Sequence, residues 1–244
     1  MTALLGLEAR LRLARLYLCT DARERQGDLA DFLAEVLGGG VDVVQIWQQG
    51  LSEEVELAAL EVARQAAQRH QALVAVNGSV ALAARSRADV LHLDVADRRT
   101  AAARQAVHPH VLLGRSALDE QQVVEAARDA ELDYFSFGPV FASPSKPDVP
   151  AAGLALVRAA ATAAPVYDPA SKPWFAVGGI TADNLHQVLA AGARRVVVVS
   201  ALTRAADPRA AAAKLSGALR EAWRADPESV RYTFAASASS GRDR

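Results

Sequence analysis

The stretch Trp174-Phe-Ala-Val-Gly-Gly-Ile-Thr-Ala-Asp183, followed by Ala191-Gly-Ala-Arg-Arg-Val-Val-Val-Val-Ser200, decides the fold. It reads as a buried strand, a glycine turn, an amphipathic helix and a second, fully apolar strand. Val196 to Val199 are apolar at every position, so both faces of that strand are covered, as in a parallel sheet flanked by helices. Gly178 and Gly179 stand where a strand ends and the next helix begins. There, backbone N–H groups reach a phosphate with no Cβ in the way. In a (β/α)8 barrel the loops after the seventh and eighth strands are the usual phosphate site. Gly178 and Gly179 are therefore candidate phosphate-binding residues.

Outward from this stretch the same alternation recurs. Strands are expected at Leu16–Thr20, Asp42–Ile46, Ala72–Val76, Val90–Leu93, Val111–Gly114, Tyr134–Phe137, Trp174–Val177 and Arg195–Val199. Between them, Asp28–Leu37, Glu53–His70, Asp119–Arg128, Asp183–Ala190 and Asp207–Trp223 carry helical apolar periodicity. Eight such units in 244 residues predict a single-domain α/β TIM barrel over 16–224. An N-terminal helical extension fills 1–15, and the small, polar residues 225–244 read as a disordered tail. A doubly wound open sheet is the rival, but no Gly-x-Gly-x-x-Gly follows the first strand. The connection Gly138–Gly153 leaves the active face of such a barrel, whereas Pro165–Pro173 enters a strand from the opposite face and reads as a surface insertion.

Composition narrows the function. A net charge of -1 draws the chain to neither nucleic acid nor membrane, and 5% aromatics argue against a base-stacking platform. Cys19 is the single cysteine, which excludes an intrachain disulfide and a cysteine-rich zinc site and suits a reducing, cytoplasmic home. Arg10, Arg12 and Arg15 interrupt what would otherwise be the apolar core of a signal peptide. No run is long and apolar enough to span a bilayer. The expected partners are small-molecule phosphates; homo-oligomer formation is left open.

Several residues could carry chemistry. Alternation aims Gln45 and Trp47 to one side, where an amide and an indole suit a planar heterocycle, although Trp47 could equally pack beneath a loop. Asn77-Gly78 could read a heteroatom edge or simply make a turn. Asp94 and Asp97 could supply oxygens to magnesium or cap the next helix. Ser116 could donate to a phosphate or cap a helix. Ser143, Ser145 and Lys146 make an anion clamp, and Lys146 is one of only three lysines in the chain. The histidines form no metal set, and His92 reads as core.

Together these pieces resemble the thiamine phosphate synthase/thiazole tautomerase family, from about Arg15 to Trp223. The carriers are Tyr17-Leu-Cys-Thr-Asp21, Gly39-Gly-Val-Asp-Val-Val-Gln45, Ala88-Asp-Val-Leu-His-Leu93, Leu113-Gly-Arg-Ser116, Asp133-Tyr-Phe-Ser-Phe-Gly-Pro-Val-Phe141 and the two glycine–strand motifs. The resemblance implies a barrel that joins a hydroxymethylpyrimidine pyrophosphate to a thiazole phosphate, with magnesium at the departing pyrophosphate. It implies that Ser143, Ser145, Lys146, Gly178, Gly179, Val199 and Ser200 serve the thiazole phosphate, and Gln45, Asn77, Asp97 and Ser116 the other half, with Ser116 and Lys146 catalytic.

The departures cluster on the pyrophosphate side. Trp47 and Gln49 replace an Arg and a Lys, Gly78 replaces a magnesium carboxylate, Asp94-Val95 replaces Gly-Gln, and Leu118 replaces a histidine. Asp94 is a candidate substitute ligand, and Arg98 or Arg99 a substitute charge. Pro139 stands where the tautomerase branch has its histidine. Removing one charge-stabilising group typically costs about 10²–10³ in rate. The alternative is thus an impaired paralogue that binds a heterocyclic phosphate, or a divergent barrel enzyme.

Overall fold

Strands from opposite ends of the chain lie side by side. Leu16–Thr20 (β1) runs parallel to Val196–Val198 (β8), with Leu18 opposite Val198. Between them come Val43–Ile46 (β2), Leu73–Asn77 (β3), Val90–Leu93 (β4), Leu112–Ala117 (β5), Tyr134–Phe137 (β6) and Trp174–Val177 (β7). Each pairs in parallel with the next, so the eight close into a barrel, as the alternating pattern predicts. The computed structural model describes residues 5–97, 99–143 and 149–238. Leu7–Leu13 (α1) precedes the barrel. Leu29–Gly38 (α2), Glu53–His70 (α3), Val80–Ser86 (α4), Thr100–Ala106 (α5), Glu120–Arg128 (α6), Gly153–Ala163 (α7) and Leu185–Ala190 (α8) follow successive strands. Ser200–Thr203 (α9), Pro208–Arg224 (α10) and Glu228–Ala238 (α11) come last. No helix among the described residues is long and apolar enough to cross a membrane.

Local chemistry sets the element boundaries. Ser52 caps α3 by accepting from the Val55 N–H at 3.3 Å, acids fill the first turn, and Arg69 and His70 fill the last. Asp119 and Asp207 cap α6 and α10 in the same way, the latter with Pro208 at the first position. β5 runs three residues past its expected end, so Ser116 lies inside the strand, opposite Ser136. Asn77 closes β3 and also starts the turn: its carbonyl accepts from the Ser79 N–H at 2.8 Å across Gly78, at φ +69°.

Strand parity separates two cores. Leu18, Val44, Val76, Leu91, Phe135 and Val198 face outward against the helices. Tyr17, Val43, Leu73, Val90, Leu112, Tyr134, Phe175 and Val197 fill the interior, closed from below by Leu11 of α1 and the following Ala14. Gly114 makes room in that interior: a Cβ there would overlap the Tyr134 ring. Towards the C-terminal ends the inward positions turn polar, with Gln45, Asn77, His92, Ser116 and Ser136. A plugged floor under a polar rim confines any ligand to the upper end.

The N-terminal rim uses one device repeatedly. Asp42, Asp89 and Asp133 each stand just before an even-numbered strand. Each carboxylate accepts from backbone N–H groups of the preceding strand's start: Leu16 at 3.0 Å, Val74 at 2.9 Å and Leu113 at 2.7 Å. The corresponding place before β8 holds Arg195, buried at 1% exposure. Its Nη2 donates to the Arg12 carbonyl at 2.8 Å and to the Tyr232 hydroxyl at 3.1 Å.

That arrangement corrects the expected disorder after residue 224. The chain folds into α11, which buries Tyr232 and Ala236 against Trp223. Tyr167, from the insertion expected to be a surface loop, packs 5.0 Å from the Trp223 ring. Small, polar composition hides this helix because only Ser229, Tyr232 and Ala236 of its residues are buried, and two of the three are themselves small. Residues 239–244 lie outside the described residues.

Candidate functional site

A cavity of about 380 Å³ opens at the C-terminal ends of the strands. Gln45, Trp47, Asn77, Asp94, Ser116, Ser143, Gly178, Gly179, Val199 and Ser200 all line it. Asp97 does not. Ser145 and Lys146 lie outside the described residues, as does Arg98.

Hydrogen bonds link the cavity floor into a chain. Tyr17 donates to Gln45 Oε1 at 2.6 Å, and Gln45 Nε2 donates to Asn77 Oδ1 at 2.9 Å. The Tyr17 and Tyr134 hydroxyls lie 3.4 Å apart. His92 Nδ1 is 2.9 Å from the Tyr134 hydroxyl, and its Nε2 is 2.9 Å from Ser116 Oγ. Ser136 Oγ completes the chain, 3.4 Å from Ser116 Oγ. The link from Tyr17 fixes which end of the Gln45 amide faces Asn77, and so fixes the edge shown to a ligand. His92 is therefore not inert core: it holds Ser116. Parity counted from Gln45 along each strand picks out Tyr17, His92, Tyr134 and Ser136, so alternation was the available signal for them.

Burial pushes the Tyr17 and Tyr134 phenols above the usual tyrosine range, with each hydroxyl coupled to the other. Folding therefore favours the protonated phenols. That contribution is fully present below the unfolded value of about 10 and is lost as pH rises towards the higher folded values. In an alkaline titration, two tyrosines should stay un-ionised until the fold itself is lost. Phenolate absorbance reaching its full value while near-ultraviolet dichroism stays native would refute this.

At the other end of the cavity, Gly178 has φ +103° and Gly179 φ +62°, and a Cβ on Gly178 would overlap Pro139. Asn184 fixes the turn by donating to the Gly179 carbonyl at 2.8 Å and accepting from the Thr181 N–H at 2.8 Å. Among the described residues, nothing accepts from the Gly178 or Gly179 N–H. Two unpaired donors facing a mouth suit an anion.

The thiamine monophosphate synthase family profile matches residues 16–202. The chain belongs to this family. It is 53% identical to a thiamine-phosphate synthase of Thermobifida fusca, over 86% of this chain and 94% of that one. Against the thiamine-phosphate synthase of Acidothermus cellulolyticus it is 49% identical, covering 88% and 100%. Among solved structures, thiamine phosphate pyrophosphorylase from Pyrococcus furiosus superposes with a TM-score of 0.75 at 26% identity, covering 89% and 99%.

Within this synthase family frame, the metal side departs furthest. Asp97 is held by Arg99, whose Nε and Nη2 reach its two oxygens at 3.2 and 3.1 Å. The Arg99 hydrogen bonds hold the Asp97 carboxyl below the usual carboxylate range. Asp94 turns one oxygen to the Val95 N–H at 2.7 Å. Gly78 offers no side chain, and no cluster of three His, Cys, Asp or Glu residues converges among the described residues. The donor set as arranged does not fit a magnesium ion, which takes several oxygens in near-ideal octahedral geometry.

Proposed function

We propose that this barrel joins a hydroxymethylpyrimidine pyrophosphate to a thiazole phosphate, releasing pyrophosphate. The observation that supports the reading most is convergence: eight residues that the resemblance assigns to substrate line one cavity, with the glycine turn at one end and the Gln45–Asn77 pair at the other. The Gly178 and Gly179 N–H groups hold the thiazole phosphate. The Gln45 and Asn77 amides hold the pyrimidine edge. The bond from the pyrimidine methylene to the diphosphate oxygen breaks, its electron pair leaving with pyrophosphate. The thiazole nitrogen then supplies the pair for the new carbon–nitrogen bond. Positioning by these amides provides the effective concentration such a step needs.

A second reading rests on Asp97 and Arg99. With that carboxylate occupied and Gly78, Trp47 and Gln49 on the same side, leaving-group stabilisation is weak, and the protein acts as a thiazole-phosphate binder. Thiamine phosphate formation by the purified chain, with and without magnesium, separates the two. The synthase reading predicts that Trp47→Arg with Gln49→Lys raises turnover, by about 10². No product from either protein, with thiazole phosphate still binding by calorimetry, would leave the binder as the function.

A further inference from the structure

We propose that Arg25 and Arg204 form a diphosphate-binding wall on the β1–β8 side of the mouth, supplying counter-charge that Trp47 and Gln49 do not supply on the β2 side. The inference deepens the function proposed above and rests on it for the identity of the diphosphate. Both arginines line the same cavity as Gly178 and Gly179. Arg25 lies in the loop after β1, and Arg204 directly follows α9. Because β1 pairs with β8, the two loops rise from neighbouring strands.

A third arginine ties these loops together. Arg23 forks onto Asp28 at 2.6 and 2.8 Å, and its Nη1 reaches the Thr203 carbonyl at 3.5 Å. Its charge is neutralised by Asp28 and it serves as a strut. Arg25 and Arg204, by contrast, have no ion pair and no side-chain hydrogen bond among the described residues. Asp21 and Asp94 are the carboxylates among the cavity's described lining, and Asp94 follows β4, on the far side of the barrel. Two guanidinium forks beyond a turn that already offers two N–H donors exceed what one phosphomonoester uses. Their charge and fork geometry match a second phosphoryl group.

The test is calorimetric titration of inorganic pyrophosphate, and separately inorganic phosphate, into the full chain. Arg25→Ala and Arg204→Ala are each expected to weaken pyrophosphate by about tenfold, with the loss shrinking as salt rises. The loss for phosphate should be smaller. Arg231→Ala, an exposed arginine on α11 at the opposite end of the barrel, should change neither affinity. Unchanged pyrophosphate affinity in the double variant overturns the wall, as does a parent chain that binds no pyrophosphate. Arginine-dependent pyrophosphate binding without any turnover sinks the synthase reading and leaves the wall standing. Turnover with arginine-independent binding does the reverse.

Discussion

A chain ending at Ala225 is expected to unfold at markedly lower denaturant than the full protein, having lost about 3–5 kcal/mol. The loss has two sources. Trp223 and the aromatic cluster lose the covering ring of Tyr232, and Arg195 loses one of its hydrogen-bond acceptors. Tyr232→Phe separates them, because it keeps the ring and removes only the hydroxyl. It should cost about 1–3 kcal/mol, since Arg195 stays buried with one acceptor fewer. The Arg195 guanidinium also stacks 5.2 Å from Trp223, and burial lowers its pKa. Arg195→Met should therefore recover much of the Tyr232→Phe loss, because the orphaned donors go with the substitution. Urea unfolding of the four proteins checks this. Equal midpoints for the truncated and full chains would mean that α11 rides on the barrel without supporting it.

The second large effect is expected at Gly114. A Cβ there overlaps the Tyr134 ring, so Gly114→Ala must displace Tyr134 and with it the hydroxyl that holds His92. Overpacking of this kind costs about 1–3 kcal/mol. The functional loss should be larger in proportion, because a displacement of about 1 Å at a positioning group can cost about 10² in rate. Thiazole-phosphate affinity should change far less, since the glycine turn is held by Asn184 and makes no hydrogen bond to Tyr134. Adding Tyr134→Leu relieves the overlap and should restore stability without restoring turnover. Recovery of both would would falsify the view that Tyr134 works through its hydroxyl.

The barrel was legible in the sequence because parallel strands covered on both faces are written as unbroken apolar runs. Glu53–His70 emerged with its expected bounds because Ser52, the leading acids and the trailing bases are separate signals that agree. Ser116 was displaced into β5 because Arg115 and Ser116 look like loop, whereas a rim position of a barrel accepts polar side chains on a strand. His92 reads as core in the sequence for the converse reason: an apolar strand disguises a histidine that lines the cavity. α11 escaped because its docking depends on Arg195, far away in sequence. Asp97 follows in the sequence from its place after the fourth strand and from the family resemblance, whereas its partner Arg99 is set by the loop's conformation, which neither encodes.

Three clasps on the lower rim are complete once their own strand pairs exist. The fourth joins Arg195 to a residue 37 positions later. At synthesis rates of roughly 5–20 residues per second, β8 emerges on the order of 2–7 s before Tyr232 does. The newborn barrel thus waits with its last seam unlatched, and a ribosome-stalled chain lacking Tyr232 should be nicked by protease more readily than one that includes it. Synthesis order makes the carboxyl-terminal helix the final latch on a ring whose strands are already in hand.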